Sequence, residues 1–230
     1  MENQPNINER MRAILVDWLI EVHLKFKLGP ETLYLTVNLM DRYLSVKKVS
    51  RSKLQLVGVA CLFIASKYED IYFPELRHLV YVCDRAYSGV EIVKMEGEIL
   101  NALDYRVTIA SPFPFLLRYL EAGNADELTG KRACHLLEGT LINYELLRYL
   151  PSQLASAAVL LARHAVGRNA WSPTLSHYTG YSEEEVLPVA RALLAEKNST
   201  PPDLRSLHKK FSSPPFDNVA ATRFSMPDAH

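Results

Sequence analysis

Ala86-Tyr87-Ser88-Gly89-Val90-Glu91-Ile92-Val93 returns later in the chain as Gly180-Tyr181-Ser182-Glu183-Glu184-Glu185-Val186-Leu187. Tyrosine, serine and glutamate keep their places, and Leu100 falls on Leu194. A serine followed three residues on by glutamate, ahead of an apolar run, is the signature of a helix start. The segments upstream agree, because Leu56-Val57-Gly58-Val59-Ala60 aligns with Leu154-Ala155-Ser156-Ala157-Ala158. Both place small residues where helices approach closely. A helix start and a central helix that recur together predict a repeated helical unit.

Working outward, residues 8–28 carry Met11, Ile14, Leu15, Trp18 and Val22 at the spacing of a helix face, and Gly29-Pro30 ends that helix. A second helix is expected from Glu31 to Val46, and a third, capped by Ser50 or Ser52, to about Tyr68. Pro74 fits the first turn of a fourth, and Ser88 caps a fifth over Gly89 to Ala102. After the proline-bearing link Ser111-Pro112-Phe113-Pro114, five more are expected near Phe113–Glu121, Leu128–Leu147, Ser152–Val166, Thr174–Thr179 and Ser182–Lys197. The segment from Ser212, with Pro214, Pro215 and no apolar period, reads as an irregular arm.

The 230 residues are 48% hydrophobic, enough for a sizeable core. Lys plus Arg equals Asp plus Glu at 26 each, so no long-range field is available to hold nucleic acid or an anionic membrane. The longest charge-free apolar run, between Lys53 and Lys67, is shorter than the roughly 20 residues of a membrane-spanning helix. Cys61, Cys83 and Cys134 are an odd, scattered set, which suits a reducing compartment. Residues 1–10 lack the pattern of a signal peptide, so the expected location is the nucleus and cytoplasm.

Catalysis needs a nucleophile, base or metal at fixed geometry, and the known motifs for these are missing. The nearest approach to a phosphate loop, Gly123 to Gly130-Lys131, has the wrong spacing and continues with Arg132. The seven histidines, His164 and His177 included, lack a partner at a metal-ligand interval. The expectation is a protein that is not an enzyme and uses no cofactor or metal, with its function on its surfaces.

One charged pair stands out. Through the two alignments Lys67 and Glu96 fall on Ala165 and Ala190, so these charges have no counterpart in the second copy. A residue kept for packing tends to recur in both copies. The pair therefore either serves something only the first copy does or is ordinary solvated charge. The first helix poses a second question. Met11, Ile14, Leu15, Trp18 and Val22 form one apolar arc and Ala13, Val16, Ile20 and Leu24 another, with Arg12 and His23 on one side between them and Asp17 and Glu21 on the other. Either the helix is central or one arc is a docking stripe.

Met11-Arg12-Ala13-Ile14-Leu15-Val16-Asp17-Trp18-Leu19 resembles the opening helix of the cyclin box of A-type and B-type cyclins. Asp41-Arg42-Tyr43-Leu44, Lys53-Leu54-Gln55-Leu56-Val57-Gly58 and Ala65-Ser66-Lys67-Tyr68-Glu69-Asp70 resemble successive motifs of that family. Trp171-Ser172-Pro173-Thr174-Leu175 and Tyr181-Ser182-Glu183-Glu184 lean toward the mitotic B-type. The resemblance implies an all-α fold of tandem five-helix cyclin boxes. It divides the chain into an extension (1–10), an N-terminal box (11–107), a C-terminal box (108–211) and a tail (212–230).

It further implies a regulatory subunit that binds and activates a cyclin-dependent kinase, with a G2/M role in the cell cycle. The kinase-binding set carried over is Ile64, Lys67, Tyr68, Glu69, Glu96, Leu100, Tyr105 and Val107. In the family the matching lysine and glutamate reach backbone groups beside the kinase's mobile C-helix, turning it so that its glutamate can pair with the catalytic lysine. The second implied surface is a shallow groove for Arg-x-Leu segments of substrates or inhibitors. It comprises Met11, Ile14, Leu15, Trp18, Leu54 and Gln55, with Glu21 facing the arginine. Arg12, Asp17 and Asp41 match positions that link helices inside the family fold. The expected partners are thus a kinase and Arg-x-Leu segments, with no nucleic acid, no membrane and no obligate homo-oligomer. A transcription-factor-IIB-like tandem repeat gripping DNA is the competing reading, and balanced charge argues against it.

Overall fold

A computed structural model describes residues 4–227. The chain forms two compact units, one ending at Ile109 and the other beginning at Ala110. The described residues hold helices and short 3-10 turns, with no strand.

The first unit contains α1 (Glu9–Phe26), α2 (Pro30–Val46), α3 (Leu54–Glu69), α4 (Leu76–Val82) and α5 (Gly89–Ala102). The α1 helix starts where Asn8 accepts the Met11 amide at 2.9 Å, and it stops at Lys27, whose φ of 55° reverses the chain. The α3 helix is apolar around its whole circumference, and α1, α2 and α5 all pack on it. Gly58 is needed at the crossing with α1, because a Cβ there would meet Leu15 Cδ1 at 2.9 Å. Arg12 is fully buried and donates to both carboxylate oxygens of Asp41 at 2.6 and 2.7 Å, fastening α1 to α2.

The second unit contains α6 (Pro112–Ala122), α7 (Glu127–Gly139), α8 (Pro151–His164), α9 (Pro173–Thr179), α10 (Glu183–Ser199) and α11 (Ser206–Phe211). Here α8 holds the central place, packed on by α6, α7 and α10. The sequence repeat is visible in hydrogen bonds. Ser88 with Glu91 and Ser182 with Glu185 form equivalent capping boxes at the starts of α5 and α10. The tyrosine before each reaches the start of its unit's central helix. Tyr87 donates to the Ser52 carbonyl at 2.7 Å, and the Tyr181 and Ser152 hydroxyls meet at 2.8 Å.

Several boundaries differ from expectation. Neither Ser50 nor Ser52 caps α3: their hydroxyls meet each other at 3.1 Å, and a 3-10 turn over Arg51–Lys53 leads into the helix. Pro74 precedes α4 and its N-cap, Glu75. The Ser111–Pro114 stretch is itself the start of α6, with Ser111 at the cap and Pro112 in the first turn, where a missing N–H costs nothing. The helix expected to reach Leu147 breaks at Thr140, because Gly139 and Thr140 are poor helix formers and the Thr140 hydroxyl bonds back to the Leu137 carbonyl at 2.6 Å. A separate 3-10 turn follows at Tyr144–Arg148.

The segment beyond Ser212 carries two 3-10 turns and buries Val219 and Ala220 with Phe211, against Cys134, Leu207 and Phe216. Beneath it Lys210 donates to both oxygens of Glu138 at 2.7 and 2.8 Å, the two side chains being 5% and 6% exposed. Glu138→Ala should therefore lower stability by about 3–5 kcal/mol, since it strands a buried ammonium. Exchanging both residues together for leucine and methionine should cost far less. Denaturant unfolding of the two variants measures the difference.

Candidate functional site

The first unit brings the candidate kinase-contact residues onto the adjoining ends of α3 and α5. Lys67, in the last turn of α3, forms an ion pair with Glu96, midway along α5. The lysine remains partly exposed and the glutamate is mostly covered. The Lys67 ammonium also lies 4.0 Å from the Phe63 ring centroid, a cation–π contact. Ile64, 5% exposed, belongs to the core of α3 rather than protruding as a contact. Leu100 and Val107 are half-buried, while Tyr68, Glu69 and Tyr105 are exposed.

Backbone geometry explains how α5 ends beside this patch. Asp104 and Tyr105 both have positive φ, 51° and 55°, in the turn after the helix. Non-glycine residues take that conformation only when their surroundings hold it. The Tyr105 amide donates to the Leu100 carbonyl at 2.9 Å, and Arg42 donates to the Arg106 carbonyl at 2.8 Å. Tyr105 is left 65% exposed. The following segment is tied to α3 through the Tyr68 and Thr108 hydroxyls, 2.5 Å apart. At the other edge Asp70 accepts from the Gly29 amide at 2.9 Å and the Thr32 hydroxyl at 2.5 Å, fixing the end of α3 to the start of α2. Burial first, then the Glu31 and Asp70 carboxylates, pushes the Glu69 carboxyl above its ordinary range.

Residues that the sequence reading passed over extend the patch. Ile71 and Tyr72 are 88% and 91% exposed, and Phe73, also exposed, meets Phe63 edge-on at 6.5 Å between ring centroids. Val93, one turn before Glu96 on α5, is exposed as well. The signal was present: Ile71-Tyr72-Phe73 follows directly on the Asp70 that stops α3, a place where apolar side chains have no helix face to bury them. Contiguous exposed apolar surface of this kind marks an interaction site.

The structure divides the two arcs of α1. Val16 and Ile20 of the second arc are wholly buried, so that arc is core, although Leu24 at its end is exposed. In the first arc Leu15 and Val22 are buried, Ile14 is 48% exposed, and Met11 and Trp18 are half-buried. Met11, Ile14 and Trp18 thus form a strip at helical spacing, and Glu21 continues it exposed. Leu54, buried, and Gln55, half-buried, open α3. Leu15 and Leu54 act as support rather than as contact surface.

A tandem helical repeat with an ion pair and exposed apolar side chains on one unit, and a separate apolar strip on α1, offers surface of the kind that other proteins bind. Comparison with known families identifies which one. Residues 1–108 match the family described as "Cyclin, N-terminal domain", and residues 110–225 match "Cyclin, C-terminal domain". The chain is 45% identical over 222 residues to the G2/mitotic-specific cyclin S13-7 of Glycine max, covering 96% of this chain and 86% of that one. It is 41% identical over 224 residues to Cyclin-B2-3 of Arabidopsis thaliana, covering 96% and 52%. The chain spans about half the length of most of the curated relatives it matches. Its fold is similar to that of a viral cyclin from herpesvirus saimiri, with a TM-score of 0.78 at 21% identity over 86% of this chain and 89% of that one. The chain belongs to the cyclin family, and it is similar to B-type, mitotic members of it. Cyclins are regulatory subunits rather than enzymes.

Proposed function

We propose that this chain binds and activates a cyclin-dependent kinase at G2/M, through the Lys67–Glu96 pair and the apolar residues around it. The observation that carries this reading is the pair itself, because it is both polar and prepositioned. An ammonium has three donors and a carboxylate about four acceptor sites, so one mutual contact leaves most of that capacity for a partner's backbone groups. Pairing also fixes two long side chains in advance, which reduces the entropy lost on binding. Magnitudes require the apolar rim as well. Shifting a kinase from about 1:99 to 99:1 in favour of its active form takes about 5.5 kcal/mol of differential binding, and a charge-assisted hydrogen bond gives about 1.5–3. Ile71, Tyr72, Phe73, Tyr68 and Tyr105 supply exposed surface for the remainder. The carboxylates of Glu31, Glu69 and Asp70, crowded at the end of α3, suit a cationic group on the partner.

The rim makes a separate prediction. Ile71→Ala with Tyr72→Ala should weaken kinase binding by about 2 kcal/mol or more, roughly thirtyfold, as aromatic anchors at interfaces do. Both side chains are almost wholly in solvent, so the unfolding curve should not move. Calorimetric titration of kinase with the double variant reads the effect, and an unchanged affinity would remove this loop from the interface.

The α1 strip is read as the dock for Arg-x-Leu segments, with Met11, Ile14 and Trp18 taking the apolar residue and Glu21 the arginine. Exposure of Ile14 beside Glu21 favours it. A nuclear and cytoplasmic location accords with these partners.

A further inference from the structure

The second unit holds a cavity that neither proposed surface uses. It measures about 720 Å³, within the range of pockets that take small organic ligands. Residues of α7, α10 and α11 and of the link before α11 line it. Its floor is aliphatic, with Leu136, Ile142, Leu146, Leu193 and Leu204 all buried. Its titratable groups are of one kind: Lys197, Arg205, Lys209, His208 and His135 line the cavity, and among the described residues no aspartate or glutamate does.

Two of these groups are buried with little to balance them. His135 is 5% exposed and bonds to the Val219 backbone, while its Nδ1 has no hydrogen-bond partner. Burial, then the neighbouring Lys197 and His208, pushes its pKa down to about 3. Lys197 is half-buried, and burial lowers its pKa with no carboxylate acting in the other direction. Its ammonium lies 5.6 Å from the Phe224 ring centroid. A chamber with an aliphatic floor, a half-buried lysine without a carboxylate and further basic side chains at its edge is electrostatically incomplete.

We propose that this cavity binds a small amphipathic anion, with a carboxylate or phosphate head toward Lys197 and Arg205 and an aliphatic body over the leucine floor. A neutral apolar ligand would leave Lys197 as it is, and a purely ionic one would leave the floor empty. Because the cavity is walled by α7, α10 and α11 together, an occupant would also hold the α11 segment in place.

The test uses the full chain and the fluorescence of 8-anilinonaphthalene-1-sulfonate, itself an apolar anion. One saturable site is expected, from which decanoate or decyl phosphate displaces the probe at least tenfold more effectively than decanol, and the better of the two identifies the head group. Lys197→Gln should weaken probe binding by roughly tenfold or more, the loss of one charge-assisted contact. Arg205→Gln, on the exposed rim, should weaken it by less while leaving the fold untouched, and circular dichroism monitors both variants. Unsaturable binding, decanol as effective as decanoate, or affinity unchanged in both folded variants would overturn the proposal.

Discussion

Lys67→Ala combined with Glu96→Ala should abolish kinase activation while the chain still unfolds in denaturant close to the parent. The activity loss is large because two charge-assisted contacts disappear together, about 3–6 kcal/mol, or two to four orders of magnitude in the balance between inactive and active kinase. The stability loss is small because a partly exposed ion pair is worth about 0–1 kcal/mol, and the buried Ile64 and Phe63 stay packed. A charge exchange, Lys67→Glu with Glu96→Lys, separates a structural pair from a contact. It preserves the internal attraction and presents each partner group of the kinase with the wrong charge. Activation should stay lost in the exchanged variant. Recovery of activity would show that the pair merely braces α3 against α5.

Trp18→Ala should weaken binding of a labelled Arg-x-Leu peptide by about 2 kcal/mol or more, roughly thirtyfold, and leave kinase affinity unchanged. Ile14→Ala should act in the same direction with less effect on the fold, because Ile14 is half in solvent whereas Trp18 also packs inward. Glu21→Lys should cost the peptide its arginine contact and reverse the preference for arginine at that position. Fluorescence anisotropy reads all three. Peptide affinity that survives Ile14→Ala and Glu21→Lys together would remove the strip from consideration, and a parallel loss of kinase binding would mean that α1 had come away from Gly58.

The two-copy architecture was legible because both copies keep the residues that start their fifth helices and the small residues of their central ones. Ser88 with Glu91 and Ser182 with Glu185 form equivalent capping boxes in the structure, so the repeated sequence pattern has a physical cause. The boundaries that were misplaced depend on local competition that periodicity does not register: Thr140 bonding backward to end α7, and Ser50 meeting Ser52 instead of a helix amide. The burial of Val219 and Ala220 was hidden because two isolated apolar residues make no period.

For the candidate site, the choice of Lys67 and Glu96 rests on the family resemblance, their lack of counterparts in the second copy being only a hint, and the structure pairs them with each other. Sequence could not rank Ile64 against Tyr68, since both read as apolar positions on one helix. Only the packing of α1, α2 and α5 on α3 decides that Ile64 lies beneath and Tyr68 outside. Ile71 and Tyr72 were missed because a loop has no face to project, so their exposure follows from where α3 stops.

The most direct test of the kinase-regulatory role is phosphotransfer by a purified, monomeric cyclin-dependent kinase with and without this chain. Activity should rise by at least two orders of magnitude on addition of the parent chain and stay at the basal level with the Lys67→Ala/Glu96→Ala variant. Equal stimulation by both proteins, or none by either across a panel of such kinases, would contradict it.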